Sequence, residues 1–164
     1  MRIPFGYMQA NYDYPLTGVE IGVRDGLNAM EILKLNIKML YLIDAWMPYT
    51  ELGVDKDASH QQFGVYENFV FLPNVKIINL YSDVASRLFD DNSLDFVYLD
   101  HNLSFIYEGI ISWYPKLKNN GMIGGQAYHC EVAESVRRAL PDYNIRTGKK
   151  SMEYPEEWYV IKEV

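Results

Sequence analysis

The chain has 164 residues, a single cysteine, and 22 acidic against 15 basic side chains, for a formal net charge of −7. That balance offers no positive field for a phosphate backbone, so no nucleic-acid partner is expected. Cys130 has no partner for an intramolecular disulfide and fits a reducing compartment. With no long apolar leader and no run near the ~20 apolar residues of a membrane span, a cytoplasmic protein making no membrane contact is expected. The length fits one domain over 1–164.

Residues 1–16 are rich in Tyr, Pro and Asn and read as an N-terminal arm or loop. Apolar runs then alternate with helical patterns. Strands are predicted at 17–22, 39–44, 75–80, 94–100 and 121–126, and helices at 28–37, 57–70, 83–90, 103–117 and 130–140. This alternation predicts βαβ units and a parallel sheet. Two short strands near 143–147 and 158–163, joined through Gly148-Lys149-Lys150, predict a closing antiparallel hairpin. The expected fold is therefore α/β: a Rossmann-like, mostly parallel sheet of about seven strands, with helices on both faces and a C-terminal hairpin.

The segment Gly18-Val19-Glu20-Ile21-Gly22-Val23-Arg24-Asp25-Gly26-Leu27-Asn28-Ala29 reads as a buried strand, a glycine turn and a helix start. Asn28 and Glu31 form a pair resembling a capping box, and Ala29, Ile32, Leu33 and Ile37 give the helix its apolar face. The turn thus falls at the carboxyl end of the first strand, where open α/β sheets bind ligands. It lacks the third close glycine of a dinucleotide fingerprint. A nucleoside without phosphate, such as S-adenosylmethionine, needs only the tight turn and an acid for its ribose hydroxyls. Asp44 ends the next strand, about 20 residues past the turn, where a carboxylate can accept from two vicinal hydroxyls.

Val19-Glu20-Ile21-Gly22-Val23-Arg24-Asp25-Gly26, Leu42-Ile43-Asp44-Ala45-Trp46 and Leu94-Asp95-Phe96-Val97-Tyr98-Leu99-Asp100 together resemble the class I S-adenosylmethionine-dependent methyltransferases. Trp113-Tyr114-Pro115-Lys116-Leu117-Lys118 with Gly121-Met122-Ile123-Gly124-Gly125 makes the chain similar to the small methyltransferase 24 group of O-methyltransferase-like proteins. The resemblance runs over about 17–128. It implies S-adenosylmethionine as cofactor, with Glu20, Gly22 and Gly26 by its methionine and adenosine parts. Asp44 would take the ribose, Ala45 and Trp46 the adenine face, and Ser82-Asp83 the adenine edge. Trp46 reads equally as a buried anchor, and Ser82 equally as a helix cap.

The resemblance also places Asp100 next to the transferred methyl group. In metal-dependent relatives an acid here holds a divalent cation such as Mg2+, which lowers the pKa of an acceptor hydroxyl. The second half of that metal pattern is a His-Asp-Tyr; here it reads Gln126-Ala127-Tyr128, and an alanine ligates nothing. His101 and His129 are the histidines nearest the carboxyl edge of the sheet, either of them a candidate general base or a solvated loop residue. His60 reads as surface, and Cys130 with its neighbour His129 does not face it as a catalytic pair. Tyr7, Tyr12 and Tyr14 either close over a flat acceptor or pack the arm onto the sheet.

The acceptor implied by the resemblance is a hydroxyl on a small molecule or sugar. Its pocket is left open, completed by a second subunit of a homo-oligomer, or built from 45–60 and 148–157. Two rival readings stand beside the methyltransferase: a degenerate module that binds the cofactor without turnover, and a nucleotide-binding oxidoreductase domain.

Overall fold

The computed structural model describes residues 1–51, 54–148 and 156–163. Its elements in chain order are α1 (Ile3–Asn11), β1 (Leu16–Ile21), α2 (Leu27–Ile32), β2 (Ile37–Asp44), β3 (Tyr49–Glu51), β4 (Val54–Lys56), α3 (Ser59–Phe69), β5 (Val75–Asn79), α4 (Ser82–Ser86), β6 (Leu94–Leu99), α5 (Ile106–Trp113), β7 (Leu117–Gly125), α6 (Cys130–Ala139), β8 (Arg146–Gly148) and β9 (Glu157–Ile161). Single 3-10 turns flank α5 at Leu103–Phe105 and Tyr114–Lys116.

Seven strands form one sheet in the order β5-β2-β1-β6-β7-β9-β8, and β3 pairs with β4 as a separate hairpin. The strands from β5 to β7 are parallel, whereas β9 pairs antiparallel with both β7 and β8. The predicted mostly parallel sheet with an antiparallel C-terminal pair is present. Chain order reverses between β1 and β6, so the crevice of an open α/β sheet opens there.

Strand alternation builds two cores. Leu40, Leu42, Phe96 and Tyr98 face one side, where Phe5 and Met8 of α1, Ala29 and Ile32 of α2, and Val65 and Phe69 of α3 cover them. Val19, Ile21, Ile43, Val97 and Leu99 face the other, under Ile106, Ile110 and Trp113 of α5 and Val132 and Val136 of α6. All six residues of β6 are buried, as a strand covered on both faces requires.

Four readings need correction. The arm contains a helix, α1, with Pro4 in its first turn and Pro4, Phe5 and Met8 buried. Gly6, Asn11 and the tyrosines mask that one-sided spacing in the sequence, and the proline suits a helix start. The helix expected at 28–37 stops at Ile32, because β2 already starts at Ile37 and the Asn36 carbonyl accepts from the Leu16 N–H (2.8 Å). Asn28 is no cap: Gly26, at φ +84°, holds the N-cap position, and no side chain caps the helix. A Cβ on Gly26 would also stand 2.6 Å from the Phe69 ring. The β3–β4 hairpin is an element beyond those predicted.

Tyr7 and Tyr12 of the arm pack onto the protein, whereas Tyr14 is exposed. Tyr7 lies 4.9 Å from the Tyr159 ring, and the Tyr12 hydroxyl donates to the Asn120 carbonyl (2.6 Å). Between α4 and α5, the indole N–H of fully buried Trp113 donates to the Ser82 hydroxyl (2.9 Å). Ser82→Ala leaves that donor unpaired and is expected to cost about 1–2 kcal/mol, read by urea unfolding. A loss under half of that would mean the indole finds another acceptor.

Candidate functional site

The crevice at the switch point holds a cavity of about 610 Å³. Its floor is the carboxyl ends of β1 and β2, with Ile21, Gly22, Ile43, Asp44 and Ala45. Its walls are Met47 and Pro48, then Leu80 to Asp83 at the start of α4, and finally His101, Asn102, Phe105, Glu108 and Gly109 leading into α5. Asp44, Asp83 and Glu108 line it, and no lysine or arginine does so among the described residues. Such a lining favours a neutral or cationic ligand and disfavours a phosphate.

Gly22 decides the shape of the floor. Its φ of +84° lies in the left-handed region, and a Cβ would stand 2.5 Å from the His101 nitrogen and 2.6 Å from the Asp100 carbonyl. Only glycine lets the first turn come this close to the end of β6. Asp44 is held by the loops that it serves: its carboxylate accepts from the Arg24 N–H (2.9 Å) and the Trp46 N–H (2.8 Å). Each oxygen keeps a lone pair for a further donor.

Of the residues singled out in the sequence, Gly22, Asp44, Ala45, Ser82, Asp83 and His101 line the cavity. Trp46 does not. It is buried in the core with Val65 and Phe69, and its indole donates to the Arg24 carbonyl (2.9 Å). Met47 and Pro48 take the wall position beside Ala45. Gly26 lies against Phe69, away from the wall. His129 is exposed at the N-cap position of α6, and His60 is exposed on α3. Ser82 is not a helix cap, since Tyr81 holds that position.

His101 turns its Nδ1 to the Asn102 carbonyl at 3.1 Å. That acceptor requires the proton on Nδ1 and leaves a lone pair on Nε2. Nε2 is buried without a partner, and a Cβ on Gly109 would come within 2.7 Å of it. Burial holds the ring below the usual histidine pKa, so it is neutral at pH 7.

Behind Gly22 lies a buried polar cluster. The Asp100 carboxylate accepts from the Asn28 and Gln126 side-chain amides, one at each oxygen. Burial pushes its pKa up to about 6, against the pull of Arg2, the two amides and Arg24. Glu20 is fully buried, with Asn28 and Arg2 on the side that favours its anion. Burial first, and the Asp100 charge second, raise its pKa well above the carboxylate range. Two residues of this cluster gave no functional signal in the sequence. Asn28 looked like a cap, and Arg2 lay in an arm read as loop.

The donor set does not suit a divalent cation. Both Asp100 oxygens face amide donors, Ala127 offers no ligand, and no group of three His, Cys, Asp or Glu is placed to hold a metal among the described residues.

No protein-family model matches the sequence, and no curated protein does. Solved structures do match. A S-adenosylmethionine-dependent O-methyltransferase from Thermotoga maritima aligns over 98% of this chain and 65% of its own, at TM-score 0.73 and 10% identity. The chain has the Rossmann-like methyltransferase fold. An rRNA methylase from Streptococcus thermophilus aligns over 99% of this chain and 95% of its own, at TM-score 0.69 and 10% identity. The 1,6-didemethyltoxoflavin-N1-methyltransferase of Burkholderia thailandensis, solved with its substrate and S-adenosylhomocysteine, aligns over 99% and 78%, at TM-score 0.64 and 10% identity. The chain spans as little as 55% of one match, a spermidine synthase. The methyltransferase fold therefore serves acceptors as different as rRNA and a small heterocycle, and by itself does not exclude nucleic acid. Among the described residues, no helix is long and apolar enough to cross a membrane.

Proposed function

We propose that this chain is an S-adenosylmethionine-dependent methyltransferase acting on a small molecule. The observation that carries the reading is the cavity at the β1–β6 switch point, where Gly22 and Asp44 share the floor and the lining holds carboxylates and, among the described residues, no lysine or arginine. S-adenosylmethionine carries a sulfonium and no phosphate, which matches that lining. The acidic surroundings equally disfavour an RNA acceptor.

The cofactor supplies an electrophilic methyl group when bound. Asp44 would accept the ribose hydroxyls with the lone pairs left free by Arg24 and Trp46. Ala45, with Met47 and Pro48, would form the adenine face, and Ser82 and Asp83 its edge. Gly22 would border the methionine side, with Glu20 and Asp100 in the buried cluster behind it rather than on the cavity lining. Transfer to a hydroxyl needs an in-line approach and loss of one proton. His101 is the proposed base, because it is neutral, carries its lone pair on Nε2 and stands on the cavity wall; exposed His129 is not on it. Nε2 is closed off by Gly109 here, so the wall must open for His101 to meet an acceptor. A hydroxyl acceptor and a cytoplasmic setting complete the proposal.

Calorimetric titration with S-adenosylhomocysteine tests it, with Asp44→Ala as the variant. Micromolar binding is expected for the wild type. The variant should bind about 10- to 100-fold more weakly, the loss of about 1–3 kcal/mol of charge-assisted hydrogen bonds. Absence of binding by the wild type would remove the reading. Unchanged affinity in a folded Asp44→Ala would remove the ribose role.

A further inference from the structure

The polar cluster behind Gly22 is joined to the start of the chain. The Arg2 guanidinium donates through Nε to the Asn28 side-chain oxygen Oδ1 (2.7 Å) and through Nη1 to Glu157 Oε1 (2.8 Å). Glu157 is fully buried at the start of β9, and its other oxygen accepts from the Ile3 N–H. The Asn28 amide is thus read from both ends. Its oxygen is claimed by Arg2, so its NH2 must turn to Asp100. Gln126 caps the second Asp100 oxygen from the end of β7. Residues before α1, within α2 and after β6 and β7 converge on one carboxylate next to the glycine turn.

We propose that Arg2 is a positioning residue: by claiming the Asn28 oxygen it fixes which way that amide points, and so holds the Asp100 carboxylate in a single orientation beside the cofactor crevice. The role in methyl transfer rests on the function proposed above; the coupling of Arg2 to Asp100 does not. Arg2 is only 16% exposed at its side chain, and Glu157 balances its charge. An anchor for α1 alone would need only the Arg2–Glu157 pair. The Nε bond to Asn28 is the part that such an anchor does not explain.

The groups facing Asp100 set the expected titration. Arg2 and Arg24 favour its anion, as do the Asn28 and Gln126 amides. Glu20 and Tyr98 interact with it from β1 and β6, and Glu157 stands behind Arg2. Removing Arg2 takes away a cation and frees Asn28 to flip, and both raise the Asp100 midpoint.

The experiment is a 13C NMR titration of the side-chain carboxyl carbons, with Asp100 identified by loss of its signal in Asp100→Asn. Arg2→Met is expected to move the midpoint up by about one pH unit or more. Arg2→Met alone leaves Glu157 as a lone buried charge and risks unfolding, so Arg2→Met/Glu157→Gln removes both charges and should show the same shift. Glu157→Gln alone weakens the anchor but leaves Arg2 on Asn28, and should leave the midpoint near its wild-type value. Arg2→Lys keeps the cation but not the Nε bond to Asn28, and its midpoint should also rise. A wild-type midpoint in Arg2→Lys, an unchanged midpoint in the double variant, or equal shifts in it and in Glu157→Gln would overturn the proposal and leave Arg2 an anchor or a plain charge. S-adenosylhomocysteine affinity, measured on the same samples at pH 7, is expected to fall several-fold with Arg2→Met/Glu157→Gln. If the wild type fails to bind it, the methyltransferase reading falls, while the titration still judges Arg2.

Discussion

Gly22→Ala is expected to cost about 3 kcal/mol or more and to lower Tm by roughly 6–12 °C. Two penalties act together. An alanine at φ +84° carries steric strain of about 1–2 kcal/mol. Its Cβ would also stand 2.5 Å from the His101 nitrogen and 2.6 Å from Asp100 backbone atoms, which cannot rotate away as a side chain would. The end of β6 must therefore retreat from β1. Gly6→Ala is the matched control, since a Cβ there meets nothing within 4 Å and the position lies inside α1. It should be neutral or gain up to about 1 kcal/mol. Similar Tm values for the two variants would contradict the close approach. The same geometry governs how Gly22 variants are read in binding assays. A bulkier residue such as valine would abolish cofactor binding by displacing Asp100 and His101, whether or not it touched the ligand.

Stability and cofactor affinity should respond to pH with opposite signs. Asp100 has a folded pKa of about 6, above its ordinary value of 3.8. A carboxyl raised on folding binds its proton more tightly in the native state. Its contribution is therefore fully present below about pH 4 and is lost as pH rises through about 6. A shift of about 2 units corresponds to roughly 3 kcal/mol across that window. Glu20, raised in the same direction, adds to the fall. His101 opposes it, because its depressed pKa costs stability as pH falls. The comparison between wild type and Asp100→Asn isolates the one group. The wild type should lose Tm relative to that variant between pH 4.5 and 7.5, although the variant sets an amide donor against Asn28 or Gln126 and is offset overall. Over the same interval, affinity for cationic S-adenosylmethionine should rise as Asp100 ionises. Parallel Tm curves for the two proteins would refute the raised pKa. A flat affinity would place the ligand's charge away from Asp100.

The legible part of this protein was whatever repeats along the chain or sits at a strand end. Alternating apolar runs located every strand of the main sheet, and Gly22 and Asp44 stood out because one ends its strand in a turn and the other in an acid. Both line the cavity. What stayed hidden depends on partners far apart in sequence. Asn28 has a capping residue's chemistry, and only Arg2, 26 residues earlier, and Asp100, 72 residues later, make it a bridge. Trp46 follows Asp44 directly, yet its φ of +43° swings the indole into the core, where Arg24 supplies its acceptor. A conformation favoured by neither sequence pattern nor residue type is settled by the surrounding packing. The stretch 149–155, part of the segment considered for the acceptor pocket, lies outside the described residues.

The strand order has a consequence for how the chain reaches this state. β1 finds β2 about 20 residues downstream, but its other neighbour, β6, pairs Gly18 with Phe96. While the polypeptide is being made, one edge of β1, a strand buried in the finished sheet, waits for nearly eighty residues before it is covered. Contacts of such long range slow folding and leave an open edge that other strands can join. The crevice takes its floor from β1 and β2 and one wall from the segment that follows β6, so it is not complete until β6 has paired. A ligand of that crevice would thus act on a late intermediate, shortening the time in which the nascent sheet is exposed to aggregation.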